Sequence, residues 1–104
     1  MTGVALASIA AHLDAVLHTR ATPDYPGALN GLQVEHRGPV TKIAAAVDVS
    51  ARTIRGAIEA GANLLLVHHG LFWSGLQPLM GLRYARTRLL LDHDVALYSS
   101  HLPL

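Results

Sequence analysis

Leu64-Leu-Leu-Val-His-His-Gly-Leu-Phe-Trp73 is the stretch that decides the fold. Four aliphatic residues in unbroken succession, Leu64 to Val67, lie between Gly61 and Gly70. Such a run reads as a strand buried on both faces, the habit of a parallel sheet with helices over it. Upstream, Ile43 to Val47 is a second short apolar run, closed by Asp48, and Ser50 to Ala60 carries Ile54 and Ile58 at helical spacing before a stop at Gly61. Downstream, Gly81 precedes a helix over Leu82 to Leu91, and Val95 to Tyr98 supplies a third strand. Strand, helix, strand, helix, strand is the order produced by right-handed crossovers between parallel strands.

Toward the N-terminus, Ile9, Leu13, Val16 and Leu17 recur at helical spacing, which predicts an amphipathic helix of about three turns ending before Pro23. Thr22 to Gly27 is a loop by its two prolines and glycine, Gly31 to Glu35 alternates as a short strand, and Gly38-Pro39 turns the chain. The expectation is one α/β domain over residues 1–104, an N-terminal helix followed by a largely parallel sheet with helices covering it.

The 104 residues suffice for a single core. Apolar residues make up 51% and charged residues 14%, so either some surface is destined for an interface or Ala-rich helices account for the excess. Net charge is +1, and the basic residues are dispersed apart from Arg83, Arg86 and Arg88 on the predicted helix. That pattern excludes an electrostatic nucleic-acid footprint and suits a solvated helix face, with contact to an anionic substrate as the sharper reading. The absence of cysteine excludes disulfides and thiolate metal sites, so any metal must use N and O ligands. Met1 to Ser8 offers small residues without a basic leader region, and His12 and Asp14 break the apolar stretch, so no signal peptide is expected. No run approaches the roughly 20 apolar residues of a membrane span, and a cytoplasmic protein is the expectation.

In open parallel sheets, ligands collect beyond the carboxyl ends of the strands. Asp48, then His68 with His69, then Ser99, Ser100 and His101 all fall there. His12, His18, His36 and His93 lack such company and are expected at the surface. Successive side chains alternate across a strand, so His68 and His69 must sit where theirs is ending. Gly70 permits a sharp change of backbone, which would let the two imidazoles diverge and serve two metal ions a few ångströms apart. The plain alternative is a hydrogen-bonded core histidine beside a loop histidine.

From Tyr25 onward the sequence closely resembles the Nif-three-like dinuclear metal-centre family, whose members carry the name GTP cyclohydrolase I type 2 homologue. The resemblance rests on Asn30-Gly-Leu-Gln-Val34, Lys42-Ile-Ala-Ala-Ala-Val-Asp48, Gly61 through Trp73, and Leu97-Tyr-Ser-Ser-His-Leu-Pro-Leu104, in the family's order and spacing. It implies that the chain is the N-terminal half of a larger fold. In the family both histidines of the His-His-Gly element bind metal, which implies His68 and His69 as ligands of two divalent ions, with zinc, manganese, iron, cobalt and nickel all suitable. The family's next ligand is the Asp after His-Leu-Pro-Leu, and a His and a Glu complete the set; all three lie beyond Leu104. The resemblance further implies a supporting or substrate-side role for His101. Asp48 is open between orienting an imidazole, holding substrate and capping a helix, and Phe72 and Trp73 between a wall for a purine-like ring and anchorage in the core.

The function so implied is metal-dependent hydrolysis of a nucleotide or heterocyclic small molecule by a homo-oligomer of the complete fold. Two alternatives stand beside it, a non-enzymatic metal-binding or interaction protein and an inactive fragment. Two histidines alone leave a site open to water, so the isolated chain is expected to hold metal substoichiometrically.

Overall fold

A computed structural model describes residues 3–24, 28–72 and 77–102. The elements run β1 (Val4–Ala5), α1 (Leu6–Val16), β2 (Gly31–Val34), β3 (Pro39–Val40), β4 (Ile43–Asp48), α2 (Ala51–Glu59), β5 (Leu64–His69), α3 (Leu82–Asp92) and β6 (Ala96–Ser99). The main sheet has the order β2-β6-β5-β4. β4, β5 and β6 are parallel, as their helical crossovers require, whereas β2 runs antiparallel to β6 with its register shifting between Leu32 and Val34. The expected largely parallel sheet is therefore three parallel strands with one reversed edge. Gly38-Pro39, read as a plain turn, instead leads into β3, which pairs with β1 in a separate two-stranded ribbon.

Helices α2 and α3 cover one face of the sheet, where Ile54, Ala57 and Leu90 pack on Leu65, Val67, Val95 and Leu97. On the opposite face α1 lays Leu6, Ile9 and Leu13 over Leu64, Ala96 and Tyr98. Val16, placed on the apolar stripe by its spacing, is 58% exposed, and Leu6 takes the buried position in its stead. The stripe is thus shifted toward the helix start, where β1 ties the chain to β3.

The central strands are dry: Leu64, Ala96, Leu97 and Tyr98 have no solvent exposure. β4, at the sheet edge, differs. Its Ala44 and Ala46 pack against the α2/α3 core, while Ile43 and Val47 on the other face remain exposed. That strip of apolar surface and the open backbone edge beside it lie beyond the reach of α1.

Local chemistry fixes the helix that leads away from β4. Ser50 Oγ accepts from Thr53 N at 3.1 Å and Thr53 Oγ1 accepts from Ser50 N at 2.9 Å, a reciprocal capping box. At the other end Gly61, with φ +79°, lets Gly61 N reach Ile58 O at 3.0 Å and Ala62 N reach Ala57 O at 2.9 Å. Both bonds satisfy carbonyls that the helix leaves open, and the chain turns directly into β5. Among the described residues, no helix is long and apolar enough to cross a membrane.

Candidate metal centre

His68 and His69 are the last two residues of β5. Asp48, the last residue of β4, lies beside His69 in register, and Ser99 of β6 lies beside Val67, so the chain after β6 passes next to the pair. His101 sits on that passing segment. Its ring centroid is 4.5 Å from that of His68 and 5.4 Å from that of His69, and the His68 and His69 centroids are 4.5 Å apart. One ring nitrogen from each of the three lies within 4.8 Å of the others. The three rings thus converge on a common space at the carboxyl end of the sheet.

Each ring is held at Nδ1 by an oxygen. His69 Nδ1 is 2.7 Å from Asp48 Oδ1, His68 Nδ1 is 3.1 Å from the Ser100 carbonyl, and His101 Nδ1 is 3.2 Å from both carboxylate oxygens of Asp24. A carbonyl or carboxylate oxygen only accepts, so Nδ1 is the donor in each pair, and in the neutral ring the lone pair falls on Nε2. Imidazoles that ligate metal are oriented in the same way by outer carboxylates and carbonyls. Three imidazoles so presented fit a borderline divalent ion with Zn–N distances of about 2.0–2.1 Å, or a pair of ions about 3.5–4 Å apart.

The roles left open for Asp48 are now separable. The cap of α2 belongs to Ser50, and the Asp48 carboxylate faces His69. Ser99 and Ser100 are buried; Ser100 contributes its carbonyl to His68, while its hydroxyl, also buried, has no hydrogen-bond partner among the described residues. Gly70 has no positive φ, contrary to the sharp backbone change read from its sequence position. What it supplies is space, because a Cβ there would collide with the Gln33 side chain. Gln33 Oε1 accepts from Leu71 N at 2.8 Å and Nε2 donates to Leu29 O at 2.6 Å, which latches the segment after the histidines to β2.

Phe72 packs partly buried against the core, with the Arg83 guanidinium 5.8 Å over its ring, so anchorage is its role here. Trp73 lies outside the described residues. Arg83 donates to Leu71 O and to Gln77 Oε1, each at 2.6 Å, while Arg88 bonds Tyr84 and Asp92 along the helix. Arg83 thus turns back onto the segment after β5, whereas Arg88 pairs along the exposed helix surface. His12, His18 and His93 are exposed as expected; His36 is not, being half-buried with both ring nitrogens shielded and without a hydrogen-bond partner among the described residues.

Two carboxylates escaped the sequence reading. Asp24 lies in a segment whose prolines mark it only as a loop, and its partners stand 77 and 78 positions away, at His101 and Leu102, or across the turn at Asn30. Asp14 looked like a polar position on a helix. It accepts from Tyr98 Oη at 2.6 Å, and Thr19 Oγ1 lies 2.8 Å from the same hydroxyl. Burial, followed by the bond to Asp14, pushes the Tyr98 phenol up to about 12.

Comparison with known proteins agrees with this layout. The profile of the Duf34/NIF3 (NGG1p interacting factor 3) family matches residues 4–104. A protein of Treponema pallidum named GTP cyclohydrolase 1 type 2 homolog is 58% identical over 78 residues, covering 74% of this chain and 27% of the relative. Its namesake from Chlamydia pneumoniae is 43% identical over 101 residues, covering 95% of this chain and 39% of the relative. A crystal structure of a Thermus thermophilus protein superposes with a TM-score of 0.86 at 40% identity, covering 93% of this chain and 40% of that one. The chain thus spans about two fifths or less of these proteins' length and corresponds to their N-terminal part.

Proposed function

This chain belongs to the Duf34/NIF3 family, and from that premise we propose that it supplies the histidine side of a divalent-metal centre which, in the complete family fold, hydrolyses a nucleotide or related heterocycle. The single observation behind the proposal is that all three converging imidazoles have Nδ1 on an oxygen acceptor, which in the neutral ring keeps the Nε2 lone pair for a ligand. His68 and His69 would hold the ions, the Ser100 carbonyl and the Asp48 carboxylate fixing the tautomer and tilt of each. Zinc, manganese, iron, cobalt or nickel there would supply acidified water and Lewis-acid polarisation of the bond under attack. The name shared by the relatives supports a nucleotide-like substrate class. The exposed Ile43 and Val47 strip supports further protein over β4, as in a homo-oligomer of the complete fold.

A second reading, metal binding without turnover, is favoured by the composition of the cluster: among the described residues it holds three imidazoles and no carboxylate. Metal titration and a hydrolysis assay separate the two. The 104-residue chain is expected to bind zinc or manganese weakly, to retain it substoichiometrically through gel filtration, and to lose it on His68→Ala. Hydrolysis of GTP or a related nucleotide is expected once the remaining C-terminal portion of the Chlamydia pneumoniae relative is added. Metal bound in that mixture with no product across a nucleotide panel would support the second reading, and no binding by the wild type would remove both.

A further inference from the structure

We infer that the groove between the segment after β5 and the start of α3 is a phosphate-binding site, with the guanidinium groups of Arg83 and Arg86 as its donors. The inference rests on the reading above for its natural ligand, the phosphate end of a nucleotide, and deepens that reading by naming where this end is held.

The groove encloses about 500 Å3, and its wall includes Gly70, Leu71, Gln77, Arg83 and Arg86. That volume lies within the range usual for small-molecule sites. Gly70 directly follows His69, so the groove begins at the residue next to the histidine pair. Arg83 and Arg86 are both half-buried and stand three positions apart on α3, which makes them neighbours on one helix face. Among the described residues no carboxylate lines the groove, and no ion pair engages either guanidinium. Two adjacent cations without a counter-ion repel each other, and partial burial removes some of the water that would screen them. Arg83 also lies in the first turn of α3, where no acidic residue stands and where the helix end itself carries partial positive charge. An anion in the groove offsets all three costs.

Arg83 is fixed in advance of any ligand. Its Nη1 donates to Leu71 O and its Nη2 to Gln77 Oε1, each at 2.6 Å, and the Phe72 ring lies 5.8 Å from its guanidinium carbon. A guanidinium has five N–H donors, so the Nε proton and one on each Nη remain uncommitted among the described residues. The Arg86 guanidinium forms no hydrogen bond among them at all. Arg88 provides the contrast: it bonds Tyr84 and Asp92 and is 62% exposed, as a solvated helix face requires. A latch tying α3 to the segment after β5 accounts for Arg83. It gives no account of Arg86, a half-buried cation lining a cavity without a partner. Planar guanidinium groups pair with phosphate oxygens through parallel N–H bonds, a geometry that lysine lacks.

The test is titration of the 104-residue chain, freed of metal by chelation and desalting, with tripolyphosphate, GTP and guanosine, followed by calorimetry and arginine side-chain 15N–1H signals. Tripolyphosphate and GTP are expected to bind and to shift the Arg83 and Arg86 signals, and guanosine to leave them in place. Arg86→Gln is expected to weaken both phosphate ligands about tenfold or more at an unchanged melting temperature. Arg86→Lys, which keeps the charge and loses the fork, is expected to fall between. Arg88→Gln outside the groove and His68→Ala in the metal centre are expected to keep wild-type phosphate affinity. GTP bound more tightly than tripolyphosphate would assign the groove to a nucleotide, equal affinities would assign it to free phosphate, and both support the site. Wild-type affinity in Arg86→Gln, an equal loss in Arg88→Gln, or no phosphate binding by the wild type would each overturn the inference. Phosphate binding retained in a completed protein that hydrolyses no nucleotide would sink the hydrolase reading and leave the groove standing.

Discussion

Asp14 and Asp24 both reach from the first quarter of the chain to the segment of β6 and its exit, yet they serve different ends. Asp14 holds the Tyr98 hydroxyl beneath α1, together with Thr19. Asp24 holds the His101 imidazole at the rim of the sheet, where two further imidazoles converge. The first partner is a neutral phenol, buried and pushed toward about 12. The second is a ring with another nitrogen to offer. Two carboxylates on neighbouring elements thus divide cohesion from chemistry, and what separates them is whether the group they orient ends in packed side chains or in an open space.

The widest test of that division is Tyr98→Ala. Removing a ring with no solvent exposure and stranding Asp14 and Thr19 is expected to destabilise the fold by about 3–5 kcal/mol in urea unfolding. A loss below about 1 kcal/mol would mean the network does not hold the core together. Tyr98→Phe is next, at about 1–3 kcal/mol, because the partly buried Asp14 carboxylate loses its donor. It should leave metal affinity of the folded protein unaltered; a fall of about tenfold or more would merge the two networks into one.

The same phenol predicts an alkaline limit. A folded-state value of about 12 against an ordinary 10.0 means that the folded form keeps a proton the unfolded chain releases. The associated stability is whole below pH 10 and is lost as pH rises through about 12. Unfolding followed against pH should show this arm in the wild type and lack it in Tyr98→Phe. Asp48→Asn addresses the exposed counterpart of Asp24 and is expected to weaken metal binding by less than about tenfold, since water can replace an accessible acceptor. At the bottom of the scale, Arg37→Ala breaks an exposed pair with Asp94 remote from either network and should move neither melting temperature nor metal binding.

What could be read in the sequence was what neighbouring residues specify. The apolar runs at β4 and β5, the periodicity of α2, the stop at Gly61 and the helix start after Gly81 each depend on a few consecutive positions, and those elements stand where they were expected. The reversed direction of β2 was not legible, because no crossover helix dictates it and its partners on β6, such as Leu97 for Val34 and Ser99 for Gly31, lie far along the chain. Val16 misled because spacing fixes a helical face without fixing where the sheet beneath it ends. At the site, His68 and His69 were marked by their motif. Asp24 was disguised by Pro23 and Pro26, which explain an aspartate well enough as a turn former. Its true partner lies 77 positions on.

That separation has a bearing on when the three imidazoles can come together. His68 and His69 leave the ribosome while β6 is still unmade, and His101 can be aimed only after the chain has closed a loop from residue 24 to residue 101. Long closures of this kind form late in folding. Convergence of the three rings would then report that the last strand has docked, making their meeting a clock for the completion of the fold.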